Sequence, residues 1–285
     1  METSTTTPSF QLPGTLIRFL RFTERWLPFL SFFLVKRFFF RPIPFPLPER
    51  EEDFARSSEV IEMEVDGKPF QVHRSGGGRK VICIHGWSGR GTQFYALAPF
   101  LEERGFDVFC VTAPGHGSHP SGEAHMLEFT EALGKVWDEF GPFEIGIAHS
   151  IGGAAILNSW SRGKNYEKLV IMGTPSHLSL VIRDFCNRLG LSQERTGSKL
   201  IRYMKHRFGE DFESHSPAIL AQKCQAKGLI IHDKDDLDVE WTQGRAIHDS
   251  WTDSAWYMTQ GLGHRRILSD PKVMNRIADF INEEV

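Results

Sequence analysis

Residues 146–155 read GIAHSIGGAA and follow directly on the apolar start of the run FEIGIA at 143–148. Ser150 stands two residues after Ala148 and two before Gly152. An apolar strand, a sharp turn at a serine and small residues that let a helix begin close to the sheet form the context of a nucleophile elbow. A serine hydroxyl is nearly inert at neutral pH. It needs a base within hydrogen-bond reach and a group that orients the base. The reading of this stretch therefore turns on what the chain supplies downstream.

Outward from Ser150 the hydrophobic period alternates between strand and helix. Residues 59–65 and 69–73 flank DGK, a hairpin signal between two alternating runs. Short apolar runs predict strands at 80–84, 107–112, 143–148, 168–172, 228–232 and 254–259, with helices at 93–104, 124–140, 151–162, 242–251 and 271–283. Strands alternating with helices imply a mostly parallel central sheet flanked by helices, an α/β fold. Residues 176–226 interrupt the rhythm with helical patterns near 180–189 and 197–208, predicting a helical insert. The predicted organisation is an N-terminal extension over 1–50, an α/β core over 51–175 and 227–285, and the insert as a cap.

In an open parallel sheet the ligand crevice lies beyond the carboxyl ends of the strands. The reactive residues just after a predicted strand are few: His85-Gly86-Trp87, Gly115-His116-Gly117, Ser150, the aspartates between 233 and 238, and His264. His264, in the glycine-flanked QGLGHRRIL, is the candidate base. HDKDDLDV supplies Asp233, Asp235, Asp236 and Asp238 as candidate orienting acids.

The chain resembles the α/β-hydrolase superfamily over roughly residues 58–285, with the serine, acid and histidine in the family's chain order. HDKDDLDV is similar to the family stretch H-G-x-x-D-x-x-V, which implies Asp236 as the acid of a Ser150, Asp236, His264 triad. Asp233 stands where glycine is usual, Glu240 where proline is usual, and Ala148 where G-x-S-x-G has its first glycine. The resemblance also implies an oxyanion hole from the backbone N–H groups of Trp87 and Ile151. His85, Gly86, His149 and Gly152 shape the site without reacting, and His116 and His232 are read as histidines that bond the backbone. No metal or cofactor is expected.

The chemistry this implies is hydrolysis of a carboxylic ester, or a related small or lipid-like acyl compound, through an acyl-serine. Thioesterase and lysophospholipase activities are the alternatives on the same fold, and a catalytically silent, membrane-associated binding protein is the alternative of another class. The cap is expected to cover Ser150. Its apolar residues Leu180, Ile182, Phe185, Leu189, Leu200, Ile201, Met204 and Phe208 are read mostly as packing, with some facing the acyl group.

A chain of 285 residues with a formal charge of −3 has no global basic field for nucleic acid, which is set aside. Cys83, Cys110, Cys186 and Cys224 show no C-x-x-C or zinc-like spacing and are read as reduced core thiols of a cytoplasmic protein. Ten of the 23 phenylalanines fall within residues 1–48, which end in the proline-rich RPIPFPLP. Residues 15–40 have helical potential broken at Pro28, with Arg18, Arg21, Arg25 and Lys36 near one stripe. The longest uncharged run there, 26–35, is far short of the roughly 20 residues that span a bilayer. Two roles are open for this segment: peripheral contact with an anionic inner membrane surface, or packing on the catalytic domain at its substrate entrance.

Overall fold

Eight strands form one sheet in the order β1-β2-β4-β3-β5-β6-β7-β8. The computed structural model describes residues 13–119, 122–209 and 212–283; residues 1–12 of the predicted extension and 210–211 of the predicted cap lie outside them. The strands are β1 Glu59–Val65, β2 Lys68–Gly76, β3 Arg79–Ile84, β4 Phe106–Thr112, β5 Ile145–His149, β6 Lys168–Met172, β7 Lys227–Asp233 and β8 Ser254–Thr259. β1 and β2 pair antiparallel, as does β2 with β4. The other pairings are parallel.

Strands β4, β5 and β6 are buried at every position. Strands covered on both faces lose the apolar–polar alternation and read as continuous apolar runs. Side chains of one parity, such as Ile82, Ile84, Phe109 and Val111, pack with Phe129, Ile156 and Leu157 on one face. Those of the other parity, such as Val81, Cys83, Val108 and Ile147, pack with Leu97, Leu101, Ile277 and Ile281 on the opposite face. All four cysteines are buried and free.

The helices in chain order are α1 Gly14–Trp26, α2 Pro28–Phe40, α3 Glu49–Ser57, α4 Leu97–Glu102, α5 Met126–Phe140, α6 Ile151–Ser161, α7 Leu178–Leu189, α8 Ser198–Phe208, α9 Pro217–Ala221, α10 Trp241–Ser250, α11 Gly263–Arg266 and α12 Pro271–Asn282. Local chemistry sets several ends. Asp270 caps α12, its carboxylate accepting from the amides of Lys272 and Val273 at 2.9 and 3.1 Å, and Pro271 occupies the first turn. Lys168, 1% exposed, donates its ammonium to the Phe280 and Ile281 carbonyls at the far end of the same helix.

Two helices differ from expectation. The helix predicted over 93–104 is a 3₁₀ turn, Gly91–Phe94, followed by the shorter α4. The charged stretch 49–57 forms α3, which packs Phe54 and Glu51 inward. The N-terminal segment is interrupted at Leu27, just before Pro28, so the basic residues do not make one continuous stripe. Arg18, Arg21 and Arg25 are exposed on α1, while Lys36 is half-buried over the Tyr203 ring.

Between β6 and β7 the described residues hold α7, α8, α9 and short turns, with no strand. α1 and α2 lie against this segment. The Phe39 ring meets Phe185 edge-on, the Phe40 ring meets Tyr203, and the Glu24 carboxylate accepts from the Ser192 amide and the Thr196 hydroxyl.

Candidate active site

Register brings the loops together. Ile84 pairs with Ala148, His149 with Met172, and Asp233 with Thr259, so the chain leaves β3, β5, β6, β7 and β8 along one carboxyl edge. His85, Ser150, Gly173, Asp236 and His264 follow those ends.

Ser150 occupies the turn itself, with φ 55° and ψ −127°. A non-glycine residue there carries strain on the order of 1–3 kcal/mol and persists only when its surroundings hold it. They do so at several points. The Ser150 amide donates to the Met172 carbonyl at 2.8 Å, and the Ser150 carbonyl accepts from Gly153 at 2.9 Å. A methyl at Gly152 would lie 2.5 Å from the His85 carbonyl oxygen, so only glycine lets α6 start this close to β3. Gly86 is equally close on the side-chain side: a methyl there would stand 2.7 Å from Ser150 Cβ and 3.3 Å from its Oγ. Ala148 lies within β5 and is fully buried, so its methyl is core packing and leaves the turn intact.

The candidate base and acid are joined. His264 Nδ1 donates to Asp236 Oδ2 at 2.7 Å. The other carboxylate oxygen of Asp236 accepts from the amides of Asp238 and Val239 at 2.8 and 3.0 Å. Burial alone would raise the Asp236 carboxyl, but hydrogen bonds from His232 and His264, the His264 charge and the Val239 amide hold it well below the usual carboxylate range. With Nδ1 bound to Asp236, His264 Nε2 is left free to accept a proton.

The four aspartates have four tasks. Asp233, fully buried, accepts from the amides of Leu262 and Gly263 and from the Thr259 hydroxyl, and so ties the start of the His264 loop to β7. Asp235 accepts from the Gly261 amide at 3.0 Å. Asp236 holds the His264 ring. Asp238 accepts from Arg188 of α7 at 2.8 Å. Asp236, Asp238 and His264 are close enough to share an ion, but their facing atoms are already engaged with one another and with Arg188.

His149 Nε2 donates to the backbone carbonyl of His264 at 2.8 Å. Burial, and then the nearby His264 charge, push the His149 imidazole down to about 3, so it stays neutral beside its partner. His85 is a fixed strut: Nε2 accepts from the Ala113 amide at 3.0 Å and Nδ1 donates to the Gly86 carbonyl. His116 donates to the Pro114 carbonyl, and burial lowers it to about 4. His232 donates to the Val239 carbonyl at 2.9 Å and also stands 3.4 Å from Asp236 Oδ2.

The Ile151 and Trp87 amides form no hydrogen bond among the described residues. Ile151 is the first residue of α6, where unpaired amides and the helix dipole favour negative charge. Ser150, Ile151, Trp87 and His264 all line one cavity of about 860 Å³. No hydrogen bond joins Ser150 Oγ to His264, although both open onto this space.

Two segments supply much of the remaining apolar wall. Of the insert residues singled out in the sequence, Ile182, Phe185, Met204 and Phe208 line the cavity, together with Leu178 and Val181. Leu189 and Leu200 are buried in the core. The N-terminal segment adds Phe38, Ile43 and Phe45. That segment is stapled to the loop that carries Trp87. The Ile43 amide donates to Ser88 Oγ at 2.9 Å, and Arg90 donates to the Phe45 carbonyl and to buried Glu51 at 2.9 and 2.7 Å. Ser88 itself has φ 57°. Sequence reading missed this clamp and the Asp233 anchor. The departure from the family's glycine at Asp233 was the signal for the second; nothing local signals the first.

A model of the alpha/beta hydrolase family matches residues 81–277. No curated protein matches the sequence. Among solved structures the chain is similar to an esterase from Exiguobacterium antarcticum, at 17% identity and a TM-score of 0.59 over 79% of this chain and all of that one. It is similar to the esterase RhEst1 from Rhodococcus sp. ECU1013, at 16% identity and a TM-score of 0.58 over 79% of this chain and 98% of that one. A membrane phospholipase A described as a bacterial virulence factor aligns over 94% of this chain and 96% of its own, at 13% identity and a TM-score of 0.62. The eight-stranded sheet, the carboxyl-edge site and the family match over most of the chain lead to one conclusion: the chain belongs to the alpha/beta hydrolase family.

Proposed function

We propose that the protein is a serine hydrolase that cleaves a carboxylic ester with an apolar acyl group. The observation that carries this reading is Ser150 on its strained turn, opening onto the same apolar cavity as an imidazole held by Asp236. In the reaction His264 Nε2 takes the Ser150 hydroxyl proton as Oγ attacks the ester carbonyl. Asp236 stabilises the imidazolium through Nδ1. The oxyanion is placed against the Ile151 and Trp87 amides, each such donor being worth about 2.7–4 kcal/mol of barrier. His264 then protonates the departing alkoxide, and water activated by the same nitrogen releases the acid from acyl-Ser150.

The Ser150 to His264 hydrogen bond is the contact that must form for this chemistry, and such bonds are often long before substrate binds. The insert 176–226 serves as the cap, excluding water from the acyl pocket. The cavity volume lies toward the upper end of the range for small-molecule sites, which suits a chain longer than acetyl. The missing Ser150 to His264 contact favours one second reading, a silent acyl-binding protein. A chain-length series of p-nitrophenyl esters decides between them. Turnover that rises with chain length and vanishes in Ser150→Ala supports the hydrolase. Tight binding of the fatty acids with no turnover of any ester by the parent supports the binder.

A further inference from the structure

The N-terminal helix pair has one face committed to the molecule and one face committed to nothing in it. Leu20, Val35 and Phe40 are at most 1% exposed, and Glu24 points inward to Ser192 and Thr196. On the outer face stand Phe19, Phe22, Trp26, Phe29, Leu30 and Phe33, with Phe29 92% and Trp26 63% exposed. Six bulky apolar side chains in water on two consecutive helices are a patch of the kind that marks an interaction surface.

Charge identifies the partner. Residues 14–41 carry six basic side chains, Arg18, Arg21, Arg25, Lys36, Arg37 and Arg41, against the single carboxylate of Glu24, in a chain whose formal charge is −3. Five of the six are exposed, and the one acid is used on the inner side. Such a surface repels a second copy of itself and matches an anionic bilayer, with aromatic rings at the headgroup level and arginines on the lipid phosphates. Each helix is 13 residues, about 20 Å long, against a hydrocarbon core of about 30 Å. Among the described residues no helix is long and apolar enough to cross a membrane. The geometry therefore points to α1 and α2 lying flat on the leaflet.

The cavity rim continues from the same segment. Phe38, Ile43 and Phe45 line the cavity and are 39%, 37% and 43% exposed. We infer that the α1–α2 face docks on an anionic lipid surface and sets the cavity mouth against it, so that an acyl chain enters from the bilayer. The docking half of this inference is independent of the chemistry assigned to Ser150.

The test is co-sedimentation of the full chain with phosphatidylcholine vesicles, with and without phosphatidylserine. Binding should require phosphatidylserine and weaken with salt. Arg18→Ala with Arg25→Ala should cost roughly 25-fold, about fivefold for each arginine. Trp26→Ser with Phe29→Ser and Phe33→Ser should abolish binding while hydrolysis of a short soluble ester is unchanged. A fluorophore on Phe22→Cys reports the same contact without removing the patch, and its emission should shift to the blue on phosphatidylserine vesicles. Equal binding to both vesicle types, binding to neither, undiminished binding by the triple variant, or a parental dimer that the triple variant dissociates would each overturn the proposal.

Discussion

His149 Nε2 lies 2.8 Å from the backbone carbonyl of His264, so the residue before the proposed nucleophile holds the main chain of the proposed base. A carbonyl only accepts, which fixes a proton on His149 Nε2, and burial keeps the ring neutral. Folded His149 takes up a second proton only near 3, whereas an unfolded histidine does so near 6.5. Between those values the unfolded chain binds more protons, so stability rises with pH across that window and is lost as the pH falls through it. His149→Gln keeps a donor for the His264 carbonyl and does not titrate. Its loss of unfolding free energy between about pH 7.5 and pH 5 should be smaller than the parent's by roughly 2 kcal/mol, measured by urea denaturation. Its ester turnover should exceed that of His149→Ala.

Gly86 has no room for a side chain where it passes Ser150. Gly86→Ala places a methyl 2.7 Å from Ser150 Cβ. Ser150 or the loop that carries Trp87 must then shift, and displacements near 1 Å at a reacting centre cost about 10²-fold in rate. A steady-state comparison should show kcat reduced by about that factor, with the unfolding free energy lowered by about 1–3 kcal/mol.

Asp233 and Asp236 are separable. Asp236→Asn should lower kcat by about 10⁴-fold, since an amide leaves the ring unoriented and its charge unsupported. Asp233→Ala removes the acceptor of two amides and one hydroxyl at the root of the His264 loop. Buried donors left without partners cost about 1–3 kcal/mol each. This variant should lose several kcal/mol in denaturant titrations and lose activity through a misplaced His264.

The turn at Ser150 stores strain that glycine does not carry. Ser150→Gly should abolish turnover and raise the unfolding free energy by about 1–3 kcal/mol. An unfolding midpoint unchanged or lowered by calorimetry would mean that the turn is relaxed.

β6, buried at every position, was legible as a continuous apolar run and the mostly exposed β1 as an alternating one, and both of these and β8 fall at the predicted residues. β5 begins at Ile145, later than expected, because Glu144 directs its side chain to Arg79 and its carbonyl to the Glu167 amide. α3 was hidden by its composition. EREEDFARS shows no apolar period, and Arg90, 39 residues on, supplies the partner that lets Glu51 be buried. α9 is a single turn of five residues, too short to show a period. Within the site, the order of Ser150, Asp236 and His264 could be read from the chain. The inward turn of Glu24, the Ser88 and Arg90 clamp, and the division of labour among the four aspartates depend on contacts between distant segments and leave no local pattern.

The central claim is that Ser150 is an activated nucleophile. Intact mass after treatment with a fluorophosphonate tests it most directly, with the parent, Ser150→Ala and the heat-unfolded parent in parallel. The account predicts one phosphonyl adduct on the folded parent and none on the other two. An unmodified folded parent that turns over no ester, or an adduct retained in Ser150→Ala, would contradict it.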